Sequence, residues 1–109
     1  MDNQQLKVRF DELNNRIEEA KQNGLDAKPL LREKYEMLKI GYARIKRETF
    51  DEKYNENPKK YSTLLSYLNT MKDVANEAGM SLIEVLALEK DVKEEMKKNN
   101  IDWLLDNQI

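Results

Sequence analysis

Leu6, Phe10, Leu13, Ile17 and Ala20 are separated by alternating steps of four and three residues, and the same spacing returns at Leu31, Tyr35, Leu38, Tyr42 and Ile45, toward Phe50. Such a period puts each set on one stripe of an α-helix; a strand would need a period of two. The boundaries agree. Asn23-Gly24 stops the first helix, and the second begins after Asp26 with Pro29 tolerated in its first turn. Two striped helices joined by a short link fold most simply as an antiparallel hairpin with coiled-coil-like packing. The second helix is predicted to run to about Asn55, about 40 Å at 1.5 Å per residue, outreaching the first by two turns or more. That overhang needs a cover, either from the rest of the chain or from a second copy.

Asn57-Pro58 marks the next break, with Pro58 suited to a first helical position. From Tyr61 onward Leu64, Leu65, Leu68, Met71, Ala75 and Ala78 form another apolar stripe, compatible with one helix or with two pieces broken near Thr70. Thr70 with Asp73, and Ser81 with Glu84, each place a hydroxyl three residues before a carboxylate, the pattern of a helix start. Gly79 lies between them and can adopt the left-handed conformation that ends a helix, so a tight helix-to-helix turn is predicted there. The last helix carries Leu82, Ile83, Val85, Leu86, Leu88, Val92 and Met96, apolar on most sides over its first two turns, which predicts burial. Its far end is Lys and Glu and reads as solvated. Asn99-Asn100 then breaks it ahead of a short amphipathic tail. The chain therefore reads as one all-α domain: a helical hairpin over 1–57 and, over 58–109, a compact helical unit built on a helix-turn-helix-like corner.

Thr70, Asp73-Val74-Ala75, Ala78-Gly79-Met80-Ser81 and Val85 resemble the helix-turn-helix of LacI-family repressors, across about 16 of 109 positions. The resemblance implies a second helix that enters the major groove of DNA. The positions that would read bases are Leu82, Ile83 and Ala87, and none has a side chain that can hydrogen-bond. Base discrimination rests on bidentate partners such as Arg, Asn or Gln, each contributing roughly 1–3 kcal/mol. The family also sets this unit ahead of a large ligand-binding domain, which has no counterpart in these residues.

Chemistry is sparse. The chain has no His and no Cys, which removes the commonest general base near neutral pH, thiolate nucleophiles and the usual soft metal ligands. Serine occurs only at Ser62, Ser66 and Ser81, with no base motif beside it. The carboxylate clusters Glu48-x-x-Asp51-Glu52 and Asp91-x-x-Glu94-Glu95 alternate with lysines and lack a calcium-loop glycine pattern. No enzyme, metal or cofactor is predicted. The start of the chain has no apolar signal segment, and no run approaches a membrane span, so a cytoplasmic location is the expectation.

With 37% charged residues and a net charge of −2, the chain as a whole has little attraction for nucleic acid or anionic lipid. The charge is polarised, however: residues 28–60 carry ten basic and six acidic groups, residues 61–109 five and nine. Lys39, Arg44, Lys46, Arg47, Lys53, Lys59 and Lys60 are the candidate phosphate contacts of a DNA-binding reading. Leu6, Phe10, Leu13, Ile17, Leu31, Tyr35, Leu38, Tyr42, Ile45 and Phe50 are the candidate packing or dimer seam. Ile101, Trp103, Leu104 and Leu105 are a candidate partner anchor, because aromatic residues often dominate such contacts. The sequence as a whole predicts a small non-enzymatic regulator or adaptor that works by protein–protein contact, as a homodimer. A helix-turn-helix DNA-binding regulator is the competing reading, and a structural or assembly protein a third.

Overall fold

The computed structural model describes residues 3–51 and 59–98, and every element in them is an α-helix: α1 (Asn3–Gln22), α2 (Lys28–Asp51), α3 (Lys59–Glu77) and α4 (Ile83–Lys98). α1 and α2 form the antiparallel hairpin that the spacing predicts. The turn between them is built on Gly24 at φ +68°, where the Leu25 amide donates to the Ala20 carbonyl (2.8 Å) and the Gly24 amide to Lys21 (3.2 Å). These two bonds satisfy carbonyls that the helix end would otherwise orphan. The Lys28 amide then donates to the Asp26 carboxylate (3.0 Å), so a capping residue starts α2 one step before Pro29 enters its first turn.

The corner at Gly79 repeats this construction. Gly79 sits at φ +70°, the Met80 amide donates to Ala75 (2.8 Å) and the Gly79 amide to Asn76 (3.2 Å). Ser81 Oγ accepts from the Ile83 amide (3.2 Å), which gives α4 its start. Thr70 has no such role: it lies inside one continuous α3 and its hydroxyl donates to the Ser66 carbonyl (3.0 Å). A hydroxyl three residues before a carboxylate is found at caps and in helix interiors alike, and uninterrupted core contacts on either side of Thr70 keep the helix whole.

α3 is the central element. Tyr61, Leu64, Leu68, Met71, Ala75 and Ala78 are all fully buried, again at steps of three and four, with Val74 beside them. α2 runs antiparallel to α3, as the Phe50 ring near Tyr61 at one end and Gly41 against Tyr67 at mid-length show. The end of α2 is thus covered from within the chain by the start of α3. Residues 52–55 of the predicted second helix lie outside the described residues.

α4 lies along both α2 and α3. Lys72 of α3 pairs with Glu89, Lys39 of α2 with Glu84 at 2.9 Å, and Lys46 with Asp91 at 3.8 Å. Only Val85, Val92 and Met96 of α4 are fully buried. The expectation that the apolar residues of its first two turns are buried holds for Val85 and is corrected for Ile83 and Leu86. Ile83 is 79% exposed and Leu86 48%, because α2 and α3 contact one side of α4 and no described element reaches the other. The seam residues of the hairpin serve the chain's own core: Leu13, Ile17, Leu31, Tyr35, Leu38 and Tyr42 are buried with the α3 stripe in one cluster.

Candidate functional site

Two grooves run along opposite flanks of α2, because residues two positions apart on a helix point to nearly opposite sides. The larger, about 640 Å³, has Met37, Gly41, Ile45 and Glu48 of α2 as its floor. Leu6, Lys7 and Phe10 of α1 form one wall and Thr63, Ser66, Tyr67 and Thr70 of α3 the other, with Leu38 and Arg44 completing the lining. Its cause is a division of labour along α1. Leu13, Ile17 and Ala20 are buried, whereas Leu6 and Phe10 are half-buried and face the opening. Gly41 allows the walls to approach. A Cβ there would lie 3.1 Å from the Tyr67 ring and 3.2 Å from its hydroxyl, so the missing side chain is what lets Tyr67 cross α2 closely. Lys34 Nζ sits 5.5 Å from the centre of the Phe10 ring and fixes one edge.

The smaller groove, about 290 Å³, lies between α2 and α4 and is lined by Lys39, Tyr42, Ala43, Lys46, Arg47, Phe50 and Leu88. Lys46 Nζ stands 5.4 Å from the centre of the Phe50 ring as well as near Asp91. The Tyr42 hydroxyl is buried and has no hydrogen-bond partner among the described residues. Burial, and the nearby Asp91 carboxylate, push its pKa up to about 12.

Glu84 ties α4 to α2 through both of its carboxylate oxygens. Its Oε1 accepts from the Tyr35 hydroxyl (2.8 Å) and its Oε2 from Lys39 Nζ (2.9 Å). The Lys39 bond first, and the Tyr35 bond second, hold Glu84 below the ordinary carboxylate pKa. The same contact raises Lys39, while Tyr35 is pushed up to about 12 by burial and then by Glu84. At Glu89 burial works in the opposite direction, but the bond from Lys72 and the field of Lys93 outweigh it and the carboxyl ends below its usual range. Sequence reasoning assigned Glu84 to a local cap. The structure gives both its oxygens to α2, 49 and 45 residues away, a pairing that no local pattern encodes.

The charge polarity visible along the sequence is thus partly neutralised in space, since α2 cations face α4 carboxylates. Of the candidate phosphate contacts, Lys39 and Lys46 are paired in this way. Arg44 lines the larger groove and Arg47 the smaller, Lys60 is half-buried at the start of α3, and Lys59 opens that helix. Lys53 and the candidate anchor Ile101, Trp103, Leu104 and Leu105 lie outside the described residues. In the seam, Phe10 and Ile45 border the larger groove together with Leu6, and Phe50 borders the smaller. At the corner, Leu82 is half-buried while Ile83 and Ala87 are exposed.

No family model, curated protein or solved structure matches this chain. Among the described residues no three or more acidic side chains are grouped to hold a metal ion, and no helix is long and apolar enough to cross a membrane.

Proposed function

We propose that this chain is a small non-enzymatic cytoplasmic regulator that acts by protein–protein contact and self-associates as a homodimer. One observation carries the reading. The hairpin seam is closed by core packing over its inner half and left open over its outer half, where Leu6, Phe10, Met37 and Ile45 line a groove about 640 Å³ in volume between α1 and α3. A groove with Leu6 and Phe10 on its α1 wall, Met37, Gly41 and Ile45 in its floor, hydroxyl groups along its α3 wall and the charged Lys7, Arg44 and Glu48 in its lining suits an amphipathic helix, recognised by apolar anchors at helical spacing. In the dimer that helix is the α1 of the second copy, so the seam serves folding and association at once. Occlusion or recruitment, with no chemistry, is the mechanism.

Light scattering at tens of micromolar tests this directly. The wild-type chain is expected at twice 12.9 kDa. Phe10→Glu is expected to return the mass to that of one chain with helicity unchanged, and a wild-type mass of one chain sinks the dimer. A second reading, DNA binding through the corner, draws support from the exposure of Ile83 and Ala87, the positions that the LacI-like resemblance assigns to bases. It requires a gel shift on genomic fragments that weakens steeply with salt. Absence of any shift at low salt removes it.

A further inference from the structure

The spacing that marks a packing face occurs twice on α2. Leu31, Tyr35, Leu38 and Tyr42 are buried in the chain's own core. Ile40, Ala43, Arg47 and Phe50 repeat the steps of three and four on another flank, where the first three are exposed and Phe50 is half-buried. A helix stripe of this period is shaped to receive another helix.

α4 supplies the second wall of that seat. The pairs Lys39–Glu84 and Lys46–Asp91 share one offset of 45 residues, so α4 runs parallel to α2 and Leu88 stands level with Ala43. Ala43, Phe50 and Leu88 are the apolar lining of the groove between them, and its charged lining is Lys39, Lys46 and Arg47, with no carboxylate. Glu84, Leu88 and Asp91 show how α2 receives a helix on this flank: an apolar side chain between two acidic ones. Arg47 is left over, exposed and without an ion pair among the described residues.

We propose that the α2–α4 groove takes an acidic amphipathic helix of another protein, its apolar residues along Ile40, Ala43 and Leu88 and its carboxylates against Arg47 and Lys46. The site rests on the reading of the chain as a protein-contact regulator, but it lies on the opposite flank of α2 from the dimer groove. Among the described residues no helix of a second copy offers that combination. The acidic outer side of α1, with Asp11, Glu12 and Glu19, has Val8 as its one exposed large apolar residue. On α4 the exposed Ile83 and Leu86 are followed by Lys90 and Lys93, which repel Arg47. Duplex DNA is the poorer fit, because Ile40 and Ala43 stand on the ridge where phosphates need cations, and Glu84 and Asp91 face it across the groove.

Fluorescence anisotropy of the full chain with a labelled helical peptide tests the proposal. The probe is about 14 residues long, with leucines at steps of three and four and glutamates beside them, and the control carries glutamine at every glutamate. The wild type is expected to bind the acidic probe at tens of micromolar, more weakly as salt rises, and to bind the control about tenfold more weakly. Arg47→Glu and Ala43→Glu, both at exposed positions, are each expected to weaken the acidic probe about tenfold with far-ultraviolet circular dichroism unchanged, while Phe10→Glu leaves it as it is. Equal affinity for probe and control overturns the proposal, as does binding that survives Arg47→Glu and Ala43→Glu, or that is lost in Phe10→Glu alone and so belongs to the larger groove. Tighter binding of a duplex oligonucleotide that is lost in Arg47→Glu assigns the ridge to nucleic acid instead. A wild-type mass of one chain sinks the dimer and leaves this site standing; a dimer that ignores the acidic probe does the reverse.

Discussion

Tyr35 and Tyr42 show how one residue type at equivalent seam positions is put to different use. Both rings are buried, but the Tyr35 hydroxyl donates to Glu84 while the Tyr42 hydroxyl has no partner among the described residues. Removing a paired buried hydroxyl loses its bond, whereas removing an unpaired one relieves a desolvated polar group. Tyr35→Phe is therefore expected to lower stability by about 1 kcal/mol, a figure discounted for the half-exposed Glu84 partner. Tyr42→Phe is expected to be neutral or stabilising, and urea midpoints of the two variants distinguish them. Equal losses would mean that Tyr42 has an acceptor in solution. Gly41 offers a second residue-scale expectation. An alanine Cβ presses on the Tyr67 ring at 3.1 Å while gaining helix propensity, so the two effects oppose each other. A leucine fills the groove as well, and Gly41→Leu is expected to cost about 2 kcal/mol by forcing Tyr67 outward.

Between helices, the termini and the α2–α4 ion pairs decide behaviour. Ser81 caps α4 and Thr70 caps nothing, although both stand in the same short pattern. Ser81→Ala is expected to lose about 1 kcal/mol and Thr70→Ala to lose nothing or gain slightly, since alanine is the better residue in a helix interior. A comparable loss at Thr70 would mean that α3 is broken there in solution. The pH dependence of this interface follows from Glu84. Its folded-state pKa is below the ordinary value of 4.5, so its contribution is complete above that value and is lost as the pH falls through the lower, folded-state pKa. Glu84→Gln is expected to flatten the decline of stability as the pH falls below 4.5, followed as urea midpoint against pH. Parallel curves for wild type and variant would assign the acid sensitivity to other carboxylates, Glu89 first among them.

At the scale of the whole molecule, stability is distributed unevenly around α3. Its buried stripe from Tyr61 to Ala78 touches the central cluster throughout, while residues 4–9 of α1 are exposed or at most half-buried. Local opening follows burial. Amide hydrogen exchange is expected to be slowest in α3 between Leu64 and Ala75 and fastest, among helical amides, in the first two turns of α1. Protection of those two turns that increases with protein concentration would locate the dimer contact at the open half of the seam. Uniform protection along α1 at every concentration would mean that the groove is closed in solution.

The sequence by itself determined the all-α class, the α1–α2 hairpin, the stop at Gly24, the corner at Gly79 and most of the core, because periodicity and capping are local and each signal lies within a few residues of its effect. Leu13, Ile17, Tyr35 and Leu38 were readable as core for that reason. Thr70 was ambiguous, since a cap and a helix-interior hydroxyl look alike until the neighbouring turns are seen to pack. The tertiary structure alone decided the rest. It placed Gly41 under Tyr67, turned Glu84 from a cap toward Tyr35 and Lys39, left Ile83 and Leu86 exposed, and opened the two grooves on either flank of α2. Each of these depends on which helices meet and in what register. That choice is made by the sum of many weak contacts across the chain, and no single stretch of sequence carries it.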